Sequence, residues 1–419
     1  MSLSSRKRWA LLPCAALAVA LVATSCSSDD SGSSGDSATV DLSVLGTENH
    51  ATGDPIKIAF AWTGENSVTN VNELKPAQAA VGYINDYLGG INGRPIELID
   101  VCEDQLQVSA ARECGNKFVQ SDAVAVVTGE FSNADAMASI TSASGMPYLT
   151  VAGGQQSMSL PNTYVLGNLL APIIGTPAAY AKDKGYKKVA VLTIDSPTAV
   201  LPLKALGPMA FGNAGVQMDL VPVPPGTPDM TSQVQAALEK DPDMFHILGD
   251  APFCAAALKA MNTLNASQET MLITQCIGDD EIGEQIPGGY ADMPIAASRT
   301  LDPTNEDVQI FQAALEKYNG KGSEEGASAY VGLLGLQRAL EGMEGEITRE
   351  TIAARLAAMP EPLPLPLGAG VTFQCGTKPI PITPNICTKE GLVGKSEEDG
   401  TIVDLKPIDV GYLFVQPTT

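Results

Sequence analysis

Few side chains in this 419-residue sequence are set out for covalent chemistry. There are two histidines, His50 and His246. The first lies in a polar, serine-rich stretch and the second inside an apolar run, so neither has the setting of a catalytic base. No G-x-S-x-G elbow, P-loop or G-x-G-x-x-G turn occurs. The acidic pairs in "CEDQ" (102–105) and "GDDE" (278–281) read as surface loops. No C-x-x-C occurs, so a zinc site is not expected. An enzyme is not expected, nor a cofactor or a metal. Ser132 and Asn133 follow an apolar run and open a helical pattern. Free N–H groups and the helix dipole there favour an anion, although the pair would equally cap the helix. Ala152, Gly153 and Gly154 follow another apolar run, where glycine permits either close approach of a ligand to the backbone or a tight turn.

The elements that must position these loops alternate. "IKIAFA" (56–61) reads as a strand, and Ala77, Ala80, Val81, Ile84 and Leu88 then keep the spacing of a helix with one buried face. Pro76 suits that helix's first turn and Gly89–Gly90 its end. Strands are predicted at 96–101, 123–128 and 147–151, with helices at 106–120 and 133–144 between them. The pattern restarts near residue 171 and gives strands at 188–194, 244–249 and 270–274 among helices. Helices near 304–318, 327–342 and 348–358 follow. Such βαβ units predict an α/β fold of two halves, each a mostly parallel sheet with helices on both faces. From about residue 360 proline and glycine dominate, and extended segments with a hairpin-like excursion are expected.

Composition narrows the partners. The body from about Pro55 is long enough for two domains, and 44% hydrophobic content is that of a globular chain. The formal charge of −23 argues against nucleic acid and against electrostatic binding to anionic lipid. A monomer is expected. Beyond Cys14 and Cys26 six cysteines remain: Cys102, Cys114, Cys254, Cys276, Cys375 and Cys387. An even number in an exported chain favours disulfides. Pairing of sequence neighbours is the simplest of the fifteen arrangements.

Export is read from the first residues, "MSLSSRKRWALLPCAALAVALVATSC". A basic cluster, a short apolar run and small residues lay out a signal peptide over 1–25. The run also resembles the bacterial lipoprotein signal, in which the cysteine after the small residues is lipidated. Ala23 stands where that pattern more often has leucine. The resemblance implies a lipid on Cys26 and a protein held at the outer face of the cytoplasmic membrane. Residues 26–54 are rich in Ser, Asp, Gly and Thr, and a flexible tether is expected there.

Four stretches carry a second resemblance: "IKIAFAWTGEN", "AAVGYINDYLGGINGRPIELIDVCEDQ", "VTGEFSNADAMAS" and "MPYLTVAGG". They are similar to the branched-chain amino-acid binding family, class I solute-binding proteins of ABC transporters. The match is strongest over 55–195, weaker to about 345, and poor across the proline-rich end. It implies two doubly wound, Rossmann-like lobes joined by a multi-strand hinge, the type I periplasmic binding protein architecture. The N-terminal lobe would comprise 55–170 and 300–365, the C-terminal lobe 171–299 and 366–419. The lobes would close on a small solute and present it to an ABC permease. Ser132, Asn133, Ala152, Gly153 and Gly154 would meet the ligand, while Trp62 and Tyr330 would either border the cleft or pack in the core. This sequence departs from the family where Gly154 replaces a common threonine. Cys276 also falls where amino-acid binders place an acid, and Asp250 replaces a loop tyrosine. Asp250, Asp279 or Asp280 would then supply negative charge, or stand as solvated loop acids. The expected solute is an amino acid, an amide or a related polar metabolite. A sensor lipoprotein of the same fold, signalling to a membrane partner, is the alternative.

Overall fold

The computed structural model describes residues 40–65, 71–278 and 280–416, without the side chains of Pro197, Thr198 and Asp280. Cys26, the predicted signal peptide and Asp279 lie outside the described residues.

The first half builds one parallel sheet. Its strands are β1 (Ile56–Trp62), β2 (Ile96–Glu103), β3 (Ala125–Thr128), β4 (Tyr148–Thr150) and β5 (Thr163–Val165), in the order β2-β1-β3-β4-β5. Successive side chains of a strand point to opposite faces, and both faces here are apolar. Ile58, Phe60 and Val127 enter one core, while Ala59, Ala61 and Val126 enter another. Helices α2 (Val108–Gln120) and α3 (Ala134–Ser144) cover the second face. The first face is covered by α1 (Leu74–Asp86) and by three helices from much later in the chain. A bulge interrupts the β1–β2 pairing between Ala59 and Ala61, and Asp100 takes up the extra residue at φ 52°.

The second half is built the same way. Helix α4 (Thr176–Lys184) is preceded by a π-helical turn, Ala171–Gly175. Strands β6 (Lys188–Ile194), β7 (Gln217–Val223), β8 (Met244–Leu248), β9 (Glu269–Ile273) and β10 (Pro294–Ala297) follow, all parallel to their neighbours. Val189 and Val191 pack under α4 and α5 (Pro197–Ala214). Ala190 and Leu192 pack under α6 (Thr231–Leu238) and α7 (Ala251–Thr263). A short α8 (Asp280–Gly283) lies before β10. His246 is fully buried in β8, with Nδ1 3.2 Å from the Met271 carbonyl. Burial pushes its imidazole down to about 4, with the backbone contacts opposing, so it is a neutral structural residue.

The chain then returns. Helices α9 (Glu306–Lys317), α10 (Ala327–Leu340) and α11 (Arg349–Ala357) complete the cover of the first sheet. A small hairpin, β11 (Leu363–Pro364) with β12 (Thr372–Phe373), comes next. Finally β13 (Glu390–Ser396) and β14 (Ile402–Asp409) join the second sheet antiparallel, giving the order β14-β13-β10-β9-β8-β6-β7. The described chain thus crosses between the sheets three times: after β5, after β10 and after β12.

Two expectations about boundaries are corrected. Residues 40–54, expected as tether, belong to the folded body. Asp41 caps a 3-10 turn, Leu42–Leu45, through the Ser43 N–H, and Leu45 is buried in the first core. Asn49 and Ala51 donate backbone bonds to the carbonyls of Asp86 and Asn85. A few apolar residues in a polar stretch were enough to anchor it. The second correction is at 366, expected to begin the C-terminal lobe. Leu367, Val371, Phe373, Cys375 and Cys387 pack in the first sheet's core, and Ile386 pairs with Val165 of β5. Irregular proline-rich chain has no hydrophobic period from which its lobe could be read.

The six cysteines bond as sequence neighbours: Cys102–Cys114, Cys254–Cys276 and Cys375–Cys387. The second closes a loop of 22 residues between α7 and the turn after β9. Replacing Cys254 and Cys276 together by serine is expected to cost about 3 kcal/mol in the chain-entropy account. Urea unfolding of oxidised wild type and double variant would measure the loss.

Candidate functional site

The carboxyl ends of β1, β3 and β4 bring the predicted polar loops together. Ser132 is exposed, and both its hydroxyl and its N–H lie 3.4 Å from the Thr63 hydroxyl after β1. Asn133 stands at the N-cap of α3 without bonding the helix through its side chain. Its Nδ2 instead donates to Asp104 Oδ2 at 2.7 Å. Asp104, from the loop read as a surface acid pair, is wholly buried. Burial raises its carboxyl, against the hydrogen bonds from Asn133 and the Leu106 N–H. The side chain of Asn133 is thus occupied in joining two loops, and Ser132, the exposed residue of the pair, accepts from the Thr63 hydroxyl and donates its N–H back to it.

Gly153 and Gly154 are required by close packing. A Cβ on Gly153 would stand 2.3 Å from Ser157 Oγ, and one on Gly154 2.5 Å from Asp135 Oδ2. Asp135, in the first turn of α3, accepts the Ser157 N–H at 2.9 Å and its hydroxyl at 2.8 Å. This clamp fixes the loop after β4 and leaves no space for a threonine at 154. Ala152 is nearly buried, and its carbonyl accepts the Thr150 hydroxyl at 2.6 Å.

Two predicted aromatic borders of the cleft turn out to be core residues. Trp62 is 5% exposed, within the first core, and its indole N–H has no partner among the described residues. Tyr330 is 1% exposed, with its ring 4.8 Å from that of Phe311. Trp62 lies on the sheet face covered by the returning helices and Tyr330 on one of those helices, α10, so covering that face took both out of the cleft. In the second half Asp250 is exposed, and its Oδ1 accepts the Phe253 N–H at 3.0 Å, capping α7. Cys276 is fully buried and disulfide-bonded, so it supplies no charge at the position where the resemblance implied an acid. Asp280 opens α8.

A charged cluster between the halves was missed in the sequence. Glu130, directly after Gly129, carries a carboxylate that accepts from Arg299 Nη1 at 2.6 Å and from the Ser328 hydroxyl at 2.9 Å. Burial raises the Glu130 carboxyl, but the Arg299 charge and these hydrogen bonds outweigh it and hold it below its ordinary value. Arg299 follows β10 on the second crossing, so the pair ties the first sheet's loop to the hinge. Behind it, Glu73 is 4% exposed, and its Oε1 accepts the Glu130 N–H at 2.9 Å. A Cβ on Gly129 would stand 1.9 Å from that oxygen, which is why glycine precedes Glu130. The crossings border a small, mostly apolar recess of about 10 Å3, room for roughly one water. Glu130 and Val151 line it from the first sheet, Asn168 and Arg299 from the crossings.

Burial lifts the Glu73 carboxyl to about 8, aided by the Glu130 charge and opposed by the Glu130 N–H and Arg299. The folded protein holds this proton where the unfolded chain releases it. The contribution is complete below about 4.5 and is lost as pH rises through about 8. Relative to wild type, Glu73→Gln is therefore expected to gain stability progressively from pH 5 to pH 8 and to level off above. Thermal unfolding of both proteins across that range checks it, and parallel curves would contradict it.

Comparison with known proteins agrees with this architecture. A comparison with curated protein sequences gives no match. Among solved structures, a putative branched-chain amino acid ABC transporter from Rhodospirillum rubrum aligns at TM-score 0.69 with 18% identity, covering 85% of this chain and 100% of that one. An ABC transporter substrate-binding protein from Sphaerobacter thermophilus aligns at 0.68 with 18% identity, covering 85% and 98%. An ABC transporter solute-binding protein from R. palustris in complex with 4-hydroxybenzoate aligns at 0.62 with 18% identity, covering 85% and 96%. These neighbours are binding proteins of transporters, not enzymes. The periplasmic binding protein family model matches residues 55–381, and the chain belongs to that family, with the type I periplasmic binding fold.

Proposed function

We propose that this protein captures a small polar solute between its two sheets and delivers it to an ABC permease, while a lipid on Cys26 holds it at the outer face of the cytoplasmic membrane. The observation that carries the reading is the pair of parallel sheets joined by three chain segments, with the polar loops after β1, β3 and β4 collected at the carboxyl edge of the first sheet. Ligands of open α/β sheets bind beyond the carboxyl ends of the strands. The Ser132 hydroxyl and N–H, and the backbone of Ala152, Gly153 and Gly154, are the contacts proposed from the first half. Asp250 is the contact proposed from the second. Closure needs a ligand that binds the closed arrangement better than the open one.

The fold does not choose the ligand. One neighbour holds 4-hydroxybenzoate and another is named for branched-chain amino acids. The disulfide at Cys276 in place of an acid weighs against a plain amino acid held by its ammonium group. An amide or another neutral polar metabolite suits the present residues better.

Thermal unfolding of residues 40–419 with a panel of amino acids, amides, short peptides, sugars and aromatic acids tests solute capture. A true ligand stabilises by RT ln(1 + [L]/Kd), about 2.7 kcal/mol at a hundredfold excess over Kd. Ser132→Ala should weaken that ligand by roughly tenfold, the value of one hydrogen bond to a charged or polar group. The anchor has its own test. In the full chain expressed in a bacterium, Cys26→Ser should move the protein from the membrane fraction to the soluble fraction and abolish labelling by a fatty-acid analogue. Unchanged labelling would remove the anchor.

A further inference from the structure

The third crossing does more than connect. The first crossing takes residues 166–170 and the second 298–305, whereas the third takes 374–389, between β12 and β13. Most of that length is an excursion. Cys375 and Cys387 are disulfide-bonded, and both pack in the first core. The Gln374 N–H also donates to the Cys387 carbonyl at 2.7 Å. The chain therefore comes back to where it left, and Thr388 and Lys389 alone make the passage to β13. Joining β12 to β13 does not need the loop between the cysteines.

One limb of that loop is fastened to the first half. The Asn385 side-chain amide donates to the carbonyls of Ser157 and Leu160 at 2.9 and 2.7 Å, and its N–H donates to the Met158 carbonyl at 3.1 Å. Ser157 is the residue that Asp135 clamps in the loop after β4. Val165 of β5 donates to the Asn385 carbonyl and accepts the Cys387 N–H, both at 2.9 Å, and pairs in parallel with Ile386. The loop also reaches the second half. Ile380 and Ile386 are 0% and 1% exposed and share the core under α4 and α5 with Ile174, Val410, Leu413 and Phe414. A Cβ on Gly411, after β14, would stand 3.1 Å from the Pro379 carbonyl oxygen. Met158 and Val165 belong to that same core, so apolar packing runs from the edge of the first sheet through the loop into the second half.

Three plain crossings would let the halves swing, because a hinge needs only a few backbone torsions to change. A close-packed seam does not stretch in the same way. Swinging the halves apart beside β5 has to lift Ile380 out of the second half's core or peel residues 385–387 from β5. The disulfide at the neck keeps the loop from unravelling in place of either. We propose that the disulfide-closed loop 375–387 is a bracket that limits how far the two halves swing apart. It acts with the cleft empty, and so is independent of which solute, if any, is captured.

Distances between nitroxides on the two halves test this by double electron–electron resonance. Labels carried on an inserted ketone-bearing amino acid leave the cysteines intact. The sample is the ligand-free body, residues 40–419, a compact unit by itself. One pair joins position 113 of α2 to position 235 of α6, and the other joins 316 of α9 to 204 of α5, all four exposed. The two pairs lie over opposite faces of the sheets. Wild type is expected to give one narrow distance for each pair. Ile380→Ala, and separately Cys375→Ser with Cys387→Ser, should roughly double the width of at least one distribution. Ile84→Ala, in the first core on α1, should leave both widths unchanged. Broad distributions in wild type overturn the proposal with no variant needed. Wild-type widths in both bracket variants overturn it as well, and so does equal broadening in Ile84→Ala, which would mark a general loosening of the fold.

Discussion

A wholly parallel sheet cannot leave either face to water, because its strands are apolar on both sides. That constraint organises this protein. The first five strands bring only α1, α2 and α3 of their own, and the face shared by Phe60 and Val127 is finished by α9, α10 and α11 from two hundred residues later. To supply them the chain must leave the second sheet after β10 and come back. To finish the second sheet with β13 and β14 it must cross again. Three crossings at one edge are therefore a consequence of covering two sheets, and the hinge is where they run side by side.

The site follows from the same construction. Parallel strands place all their carboxyl ends at one edge, so the loops after β1, β3 and β4 collect there without further design. Their exact form is set by short-range packing. Asp135 holds Ser157 and excludes a side chain at Gly154. Glu73 occupies the space beside Gly129 and turns Glu130 toward Arg299. Gly129 and Gly154 are fixed by a carboxylate and Gly153 by the Ser157 hydroxyl, rather than by a ligand. The ligand-facing groups are what remains exposed once the loops have satisfied one another.

Much of this was legible in the sequence. The alternation of apolar strands and one-faced helices gave the two parallel sheets, and the quoted motifs gave the family and the loops at the strand ends. The disulfide partners followed from their nearness along the chain. What was not legible depends on long-range contact. Glu73, Glu130 and Arg299 are separated by 57 and 169 positions and share no spacing rule. Asn168 looks like any loop asparagine until its burial is known. Trp62 and Tyr330 were expected near the cleft or in the core, and burial of that face decided their place. In residues 40–54 a single buried leucine outweighed a polar composition, and in 366–389 proline and glycine erased the period that would have named the lobe.

The central claim is that a solute is held between the strand ends of the two sheets. A crystal structure of the body with the panel solute that stabilises it most tests this most directly. The solute should lie between the loops after β3 and β4 and the loop after β8, in contact with Ser132 and the Gly153–Gly154 backbone. A solute bound anywhere outside the space between the two sheets would contradict the account.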